Sequence, residues 1–359
     1  MRISSVDAIP YALPLREPYV TARGRLERRE LVLVRVRTDE GIEGLGEGVA
    51  LALRGGPGVH SLEREIHKLA APKLVGMDLD LDPLPRVASA AARISRPAAA
   101  AVDLARLDLA AKLAGIPLWR LLGAESAQLI ACNATLGAGL PRAVADDAQR
   151  WASRGFSTLK LKVGVPGDVA QVKAVRDAVG YEAKIRVDAN GVWPPEQARE
   201  RLAAMERFRL ELAEQPSGDL EDLRLVRQET AIPIAADESL TSAQDAQRAI
   251  QLGACDLATV KLAKVGGIGP ARSIARRLPV YLSSALDGPV GIAAAAHLAQ
   301  VLPREGVWAG IAHGLATQLL FADTIASIEC ELRDGFLHLP GGPGLGVEID
   351  QRALERCRL

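Results

Sequence analysis

The feature that most limits what this chain can become is a recurrence. From residue 129 onward, eight short apolar runs appear about 25 residues apart, at 129–137, 158–164, 184–190, 210–216, 232–239, 257–262, 280–286 and 307–311. Each interval has room for one strand, one helix and two short loops. Parallel neighbours need helical crossovers of one hand, and eight such units in about 190 residues predict a (β/α)8 barrel rather than a doubly wound sheet. The chain ahead of them reads differently. Residues 2–15 alternate loosely, 30–37 (ELVLVRVR) is β-branched and half-polar, and Thr38-Asp39-Glu40-Gly41 marks a turn before a second short strand toward Gly48. From Leu62 to Leu122 the pattern becomes helical, and Arg96-Pro97 opens an alanine-rich run expected to end at a C-cap near Gly123. Strands followed by helices, without alternation, predict a separate α+β domain. The expected architecture is therefore α/β. A capping domain would occupy 1–125 and a (β/α) barrel, of modified TIM type, 126–320. A C-terminal segment, 321–359, with strands at 326–332 and 335–339, would return to the capping domain.

Composition narrows the partners. Lys+Arg and Asp+Glu both number 44, so the formal net charge is zero, which argues against a nucleic-acid partner. Twelve aromatic residues leave little for a base-stacking surface. No uncharged apolar run reaches the ~18 residues of a membrane span, and the first residues, Met1 to Asp7, lack the apolar core of a signal peptide. A cytoplasmic location is the resulting expectation. Cys132, Cys255, Cys330 and Cys357 are far apart with no CxxC pair, which points to buried thiols rather than a zinc site or disulfide framework.

Barrel enzymes carry their reactive groups at the C-terminal ends of the strands. Here those ends read Lys160-Leu161-Lys162, Asp188-Ala189-Asn190, Glu214-Gln215-Pro216, Asp237-Glu238-Ser239 and Lys261. A single acidic residue at a strand end is usually a helix cap or a surface partner. Five ionisable groups in register on five consecutive units are not. Three neighbouring carboxylates, Asp188, Glu214 and Asp237, would repel one another in a closed mouth without a cation. An all-oxygen donor set suits a hard divalent ion, Mg²⁺ first and Mn²⁺ second. Lys162 and Lys261 would then face each other across the metal. Such a site can stabilise the enediolate of a small carboxylate substrate while a lysine of lowered pKa removes the α-proton.

These motifs, together with GIEGLGEG at 41–48, DLARLDLAAKLAGIPLWRLLG at 103–123 and Gly266-Gly267 after Lys261, resemble the enolase superfamily, and within it the muconate-lactonizing subgroup, over nearly the whole chain. The resemblance implies Asp188, Glu214 and Asp237 as metal ligands and Lys162 and Lys261 as the acid/base pair. Lys160 would hold down the pKa of Lys162 and help bind the substrate carboxylate. Segments around 21–25, with Thr21 and Arg23, and around 49–56 would close over the substrate. Ser283, Ser284 and Asn133 are further candidates for substrate contact.

Within the subgroup, Tyr281 to Asp287, Val290 to Ala294 and His313-Gly314-Leu315-Ala316-Thr317 are similar to the o-succinylbenzoate synthases. Residues 310–318 contain no acidic residue, whereas dipeptide epimerases carry an Asp-x-Asp pair there for the substrate ammonium and muconate lactonizing enzymes a Glu. The resemblance therefore implies a lyase that performs syn dehydration of 2-succinyl-6-hydroxy-2,4-cyclohexadiene-1-carboxylate in menaquinone synthesis, with Lys162 serving as base and then acid. The alternatives on the same scaffold are an N-succinylamino acid racemase, a dipeptide epimerase or a muconate cycloisomerase-like enzyme. A barrel binding protein without catalysis is the non-enzyme alternative, and a homo-oligomer is compatible with any of them. Gly266-Gly267-Ile268-Gly269 lacks dinucleotide-loop spacing, and Asp287 is expected to cap a helix at Gly288.

Overall fold

In the computed structural model, residues 1–21, 24–52, 55–79, 94–303 and 305–359 are described. Three antiparallel strands open the chain: β1 (Ile3–Thr21), β2 (Gly24–Thr38) and β3 (Glu43–Val49), in the order β1-β2-β3. Alternation along β2 assigns its two faces. Val32, Val34 and Val36 pack with Leu62, Ala101, Ala105 and Leu109 of the capping helices, while Leu31 and Leu33 join the core that fills the barrel side. The small sheet is thus buried on both faces, and its second face carries the barrel.

The glycines of β3 are there for a helix. Gly44, Gly46 and Gly48 lie on one face of the strand, against helix α1 (Arg96–Leu113). A Cβ on Gly46 would stand 1.9 Å from the Ala101 carbonyl oxygen, and one on Gly44 would stand 2.1 Å from that of Ala105. Pro97, Ala101 and Ala105, four apart on the helix, meet glycines two apart on the strand, so both periodicities mesh at backbone contact. The helix stops at Leu113 rather than continuing toward Gly123. Gly115 takes a left-handed φ of +67°, and Pro117 disfavours helical geometry at Ile116. A four-residue turn, Leu118–Leu121, follows before Gly123.

The barrel strands after β4 (Ile130–Ala131) are β5 (Ala134–Leu136), β6 (Thr158–Lys162), β7 (Lys184–Asp188), β8 (Leu212–Glu214), β9 (Ile234–Ala236), β10 (Leu257–Val260) and β11 (Val280–Leu282). They form one parallel sheet in the order β11-β10-β9-β8-β7-β6-β5. The eighth run behaves differently from its reading in the sequence. Val307 is 94% exposed, and Gly306 and Gly310 bracket a turn with φ of +97° and +69°. Closure is made instead by two parallel bridges further on, Cys132↔His313 and Ser283↔Gly314. His313 seals this seam: its Nδ1 accepts the Leu282 N–H at 3.0 Å, and burial lowers its pKa to about 4, which keeps the ring neutral.

The first run also divides. β4 leaves the barrel to pair with the hairpin of β12 (Glu331–Arg333) and β13 (Phe336–His338), and β5 alone enters it. Beyond that hairpin the chain runs back against β1, where the Leu359 N–H donates to the Pro10 carbonyl at 3.1 Å. Among the described residues no helix is long and apolar enough to cross a membrane.

Candidate active site

Strand register places the charged side chains. Lys162 pairs with Asp188, and Asp188 with Glu214, so these three stand at one height on β6, β7 and β8. Side chains two apart on a barrel strand face the same side, which puts Lys160, Arg186 and Leu212 one layer beneath them. Asp188 and Glu214 end their strands abruptly. Asn190, two residues after Asp188, and Gln215, directly after Glu214, have left-handed φ values of +50° and +37°, unusual for residues other than glycine. Gln215 then stitches β8 to β9. Its Oε1 accepts the Asp237 N–H at 2.7 Å and the Ser239 hydroxyl at 3.0 Å, and its Nε2 donates to the Ser217 and Gly218 carbonyls at 2.8 Å.

The cluster is buried and densely paired. Lys160 Nζ lies 2.5 Å from Glu214 Oε2 and 2.8 Å from Asp188 Oδ2, and Lys162 Nζ lies 2.6 Å from the same Asp188 oxygen. Lys162 also donates to Asn190 Oδ1 at 3.0 Å. Across the barrel, Lys261 donates to Asp237 Oδ2, and Lys264 holds Asp237 Oδ1 at 2.7 Å and the Thr259 carbonyl at 2.9 Å. Lys162 and Lys261 therefore approach from opposite sides, one through Asp188 and the other through Asp237.

The electrostatics follow from these pairs. Burial opposes ionisation of Asp188, but the ammoniums of Lys160, Lys162 and Lys261 outweigh it and hold the carboxyl well below its usual range. Glu214 moves the other way, raised by burial and by its neighbours Asp188 and Asp237. Lys160 does act to lower the pKa of Lys162, as expected, but the net lowering expected of that lysine is not met. Burial and Lys160 do lower it, but the Asp188 carboxylate, with Tyr19 and Glu214 contributing, carries it above the ordinary lysine value.

Asp188, Glu214 and Asp237 could hold a divalent cation. Among the described residues, no group of three or more His, Cys, Asp and Glu is arranged as a ready-made cage, because ammonium groups stand between the carboxylates. The donor chemistry nevertheless fits: every candidate donor is oxygen, and Glu214 Oε1 is buried without a hydrogen bond, with Lys261 Nζ 4.0 Å away.

Above the cluster lies a cavity of about 370 Å³, walled by Lys160, Lys162, Lys261, Ser283, Ser284 and Thr135 from the barrel and by Tyr19, Leu26, Arg29 and Leu51 from the capping domain. Ser283 and Ser284 are thus on the wall, and Ser284 Oγ also accepts the Asp287 N–H at 2.7 Å. Asn133 is not. It faces the same side as Thr135 but one layer deeper, where its Oδ1 accepts from Arg186 at 3.4 Å. Thr135 takes the place expected for it. Arg23 lies outside the described residues, and for Thr21 only the backbone, paired with Gly24, is described.

Sequence reasoning missed Glu47. It is 2% exposed, accepts from Tyr11 Oη at 2.9 Å and the Gly288 N–H at 2.6 Å, and faces the Val290 N–H at 3.3 Å. The capping domain thereby supplies the cap for the barrel helix Pro289–Ala299. Asp287, expected in that role, instead bonds back to the Ala285 N–H at 2.7 Å. An acid inside a glycine-rich strand gave no local signal of a partner 241 residues away.

Comparison with known proteins identifies the family. A family model described as "Mandelate racemase / muconate lactonizing enzyme, N-terminal domain" matches residues 4–123, and one described as "Enolase C-terminal domain-like" matches 143–353. The chain is 34% identical to the hydrophobic dipeptide epimerase of Enterococcus faecalis, over 83% of this chain and 87% of that protein. It is 32% identical to the N-succinylamino acid racemase of Thermus thermophilus, over 100% of this chain and 98% of that one. The solved Enterococcus faecalis dipeptide epimerase, complexed with Mg and the dipeptide L-Leu-L-Tyr, superposes with a TM-score of 0.87 at 30% identity, covering 97% of this chain and 100% of that one. With both halves of the chain matched and the carboxylates and lysines in register at the barrel mouth, this protein belongs to the enolase superfamily, in its muconate-lactonizing subgroup.

Proposed function

We propose that this protein racemises the α-carbon of N-succinylamino acids by two-sided proton transfer. The observation that carries the reading is the charge of the cavity wall. Among its described lining residues are five cations, Arg29, Lys160, Lys162, Lys261 and Lys264, and one acid, Glu238. Residues 310–318, which close the barrel, contain no acid. A free substrate ammonium would meet five cations against a single carboxylate, whereas a succinyl carboxylate meets a favourable field. The relatives include an N-succinylamino acid racemase alongside dipeptide epimerases, which departs from the lyase expectation of the sequence.

Asp188, Glu214 and Asp237 would hold Mg²⁺, as the dipeptide epimerase neighbour is complexed with Mg, and the ion would supply positive charge beside the substrate carboxylate as the α-proton leaves. The chain does the rest. Lys162 Nζ takes or returns the proton on one face, and Lys261 Nζ does so on the other. Lys160 stays protonated, raised by Asp188 and Glu214 against the opposing effect of burial, and serves as a fixed cation. Leu26, Leu51 and Leu286 exclude water from the side-chain end of the cavity.

Syn dehydration to o-succinylbenzoate is a second reading, supported by the two serines on the cavity wall and by the same missing acid. Both substrates carry a succinyl group. The test supplies N-succinyl-L-amino acids, free dipeptides and the cyclohexadiene carboxylate to the Mg²⁺-loaded protein, following optical rotation and aromatic absorbance. Racemisation of the succinylated acid at the highest kcat/KM supports the proposal. Preferred epimerisation of a dipeptide with a free amino terminus, or dehydration without racemisation, overturns it.

A further inference from the structure

Beneath the charged layer, β11 sends a phenol across the barrel. Tyr281 is fully buried and shares a small cluster with Leu212, Ala235 and Leu257, the inward residues of β8, β9 and β10. Ala235 leaves room for the ring. At the far side, Tyr281 Oη donates to Glu214 Oε2, the same oxygen that accepts from Lys160 Nζ at 2.5 Å. The ring is fixed from below. Arg186 Cζ lies 4.8 Å from its centroid, and Arg186 is itself held by Glu211 Oε2 at 2.6 Å and the Ala312 carbonyl at 2.8 Å. One oxygen of Glu214 is therefore doubly held, while Oε1 is buried and accepts no hydrogen bond.

We propose that Tyr281 is the positioning residue of the metal site, pinning Glu214 Oε2 from the opposite barrel wall so that Oε1 is presented to the cation. The role rests on the Mg²⁺ reading above. A carboxylate free to rotate could exchange its oxygens between Lys160 and the cation, and each exchange would break a ligand. With Oε2 locked by two donors, only one orientation is available before the cation arrives, so less ordering is left for binding to impose. Tyr281 does not line the cavity, so it acts through Glu214 and not on the substrate.

The test is Tyr281→Phe, which removes the hydroxyl and keeps the ring over Arg186. Mg²⁺ binding is measured by calorimetry on the full-length protein, with melting temperatures recorded in chelator and in saturating Mg²⁺. The expected result is an Mg²⁺ Kd raised about tenfold or more, the scale of groups that orient metal ligands, with a smaller Mg²⁺-induced gain in melting temperature. An Mg²⁺ Kd within twofold of the unmodified protein overturns the role, even if Tyr281→Phe melts lower in chelator, since that would show packing alone. If the unmodified protein binds no Mg²⁺, the metal reading itself fails and this role fails with it. Should Tyr281→Phe not fold, Arg186→Lys, which loosens the ring from below, is measured the same way against the same thresholds.

Discussion

Replacing Glu47 by Gln isolates the carboxylate that joins the two halves of the molecule. Burial, then the neighbouring Asp287, raises its pKa from 4.5 to about 8, against the bonds from Tyr11, Gly288 and Val290 that lower it. The groups facing it are Tyr11 on β1 and Asp287 on the loop after β11, with Arg29 of β2 acting on Asp287 and Cys357 near Tyr11. The folded protein thus binds a proton that the unfolded chain has released between pH 4.5 and 8, so stability falls as pH rises through that window. Moving a carboxyl from 4.5 to about 8 corresponds to roughly 5 kcal/mol at high pH. The N-terminus of helix Pro289–Ala299 favours the anion by up to about 2 kcal/mol. About 3 kcal/mol is a reasonable net. For 359 residues the unfolding entropy is about 0.75 kcal/mol/K, which converts this to roughly 4 °C. Melting is followed by circular dichroism from pH 5 to 9 in chelator. Glu47→Gln should match the parent within about 1 °C near pH 5 and exceed it by roughly 4 °C at pH 9. A constant difference between the two curves, or a parent that gains stability as pH rises relative to Glu47→Gln, would refute the reasoning.

The remaining predictions concern the interlocked glycines and the candidate metal ligand. Gly46→Ala places a methyl 1.9 Å from the Ala101 carbonyl oxygen and should cost about 3 kcal/mol or more by chemical denaturation, whereas Gly58→Ala, which meets nothing within 4 Å, should stay within about 0.5 kcal/mol. Equal effects would mean that strand β3 and the helix are not in backbone contact. Glu214→Gln should keep the native circular dichroism spectrum while losing Mg²⁺ binding and turnover, and full activity in that variant or in excess chelator would remove the metal from the mechanism.

Much of this architecture is legible in local sequence because the barrel repeats one unit. Each strand–helix pair writes its own apolar run, and one charged residue at each strand end recurs at nearly constant spacing, which is how Lys162, Asp188, Glu214, Asp237 and Lys261 can be read together. The eighth strand escapes because two bridges at His313 and Gly314 close the ring without needing a hydrophobic run. Asn133, a candidate for substrate contact, lies off the cavity wall, because periodicity fixes the face of a strand but not the depth along it. Glu47, Gln215, Lys264 and Tyr281 were missed for a different reason. Their partners are brought close only by folding, across 241 residues for Glu47 and Gly288 and 67 for Tyr281 and Glu214. The pKa direction of Lys162 likewise depends on which carboxylate wins its ammonium, and spacing is silent on that.

The central claim is that Lys162 and Lys261 serve opposite faces of one α-carbon. Its most direct measurement is solvent-deuterium exchange at the α-position of N-succinyl-L- and N-succinyl-D-amino acids, followed by proton NMR in D2O with Mg²⁺. The unmodified protein should exchange both enantiomers and interconvert them. Lys162→Ala and Lys261→Ala should each abolish interconversion, while each retains exchange of a single enantiomer, opposite in the two variants. Retained interconversion in either variant, or loss of exchange from the same enantiomer in both, would contradict the two-faced site.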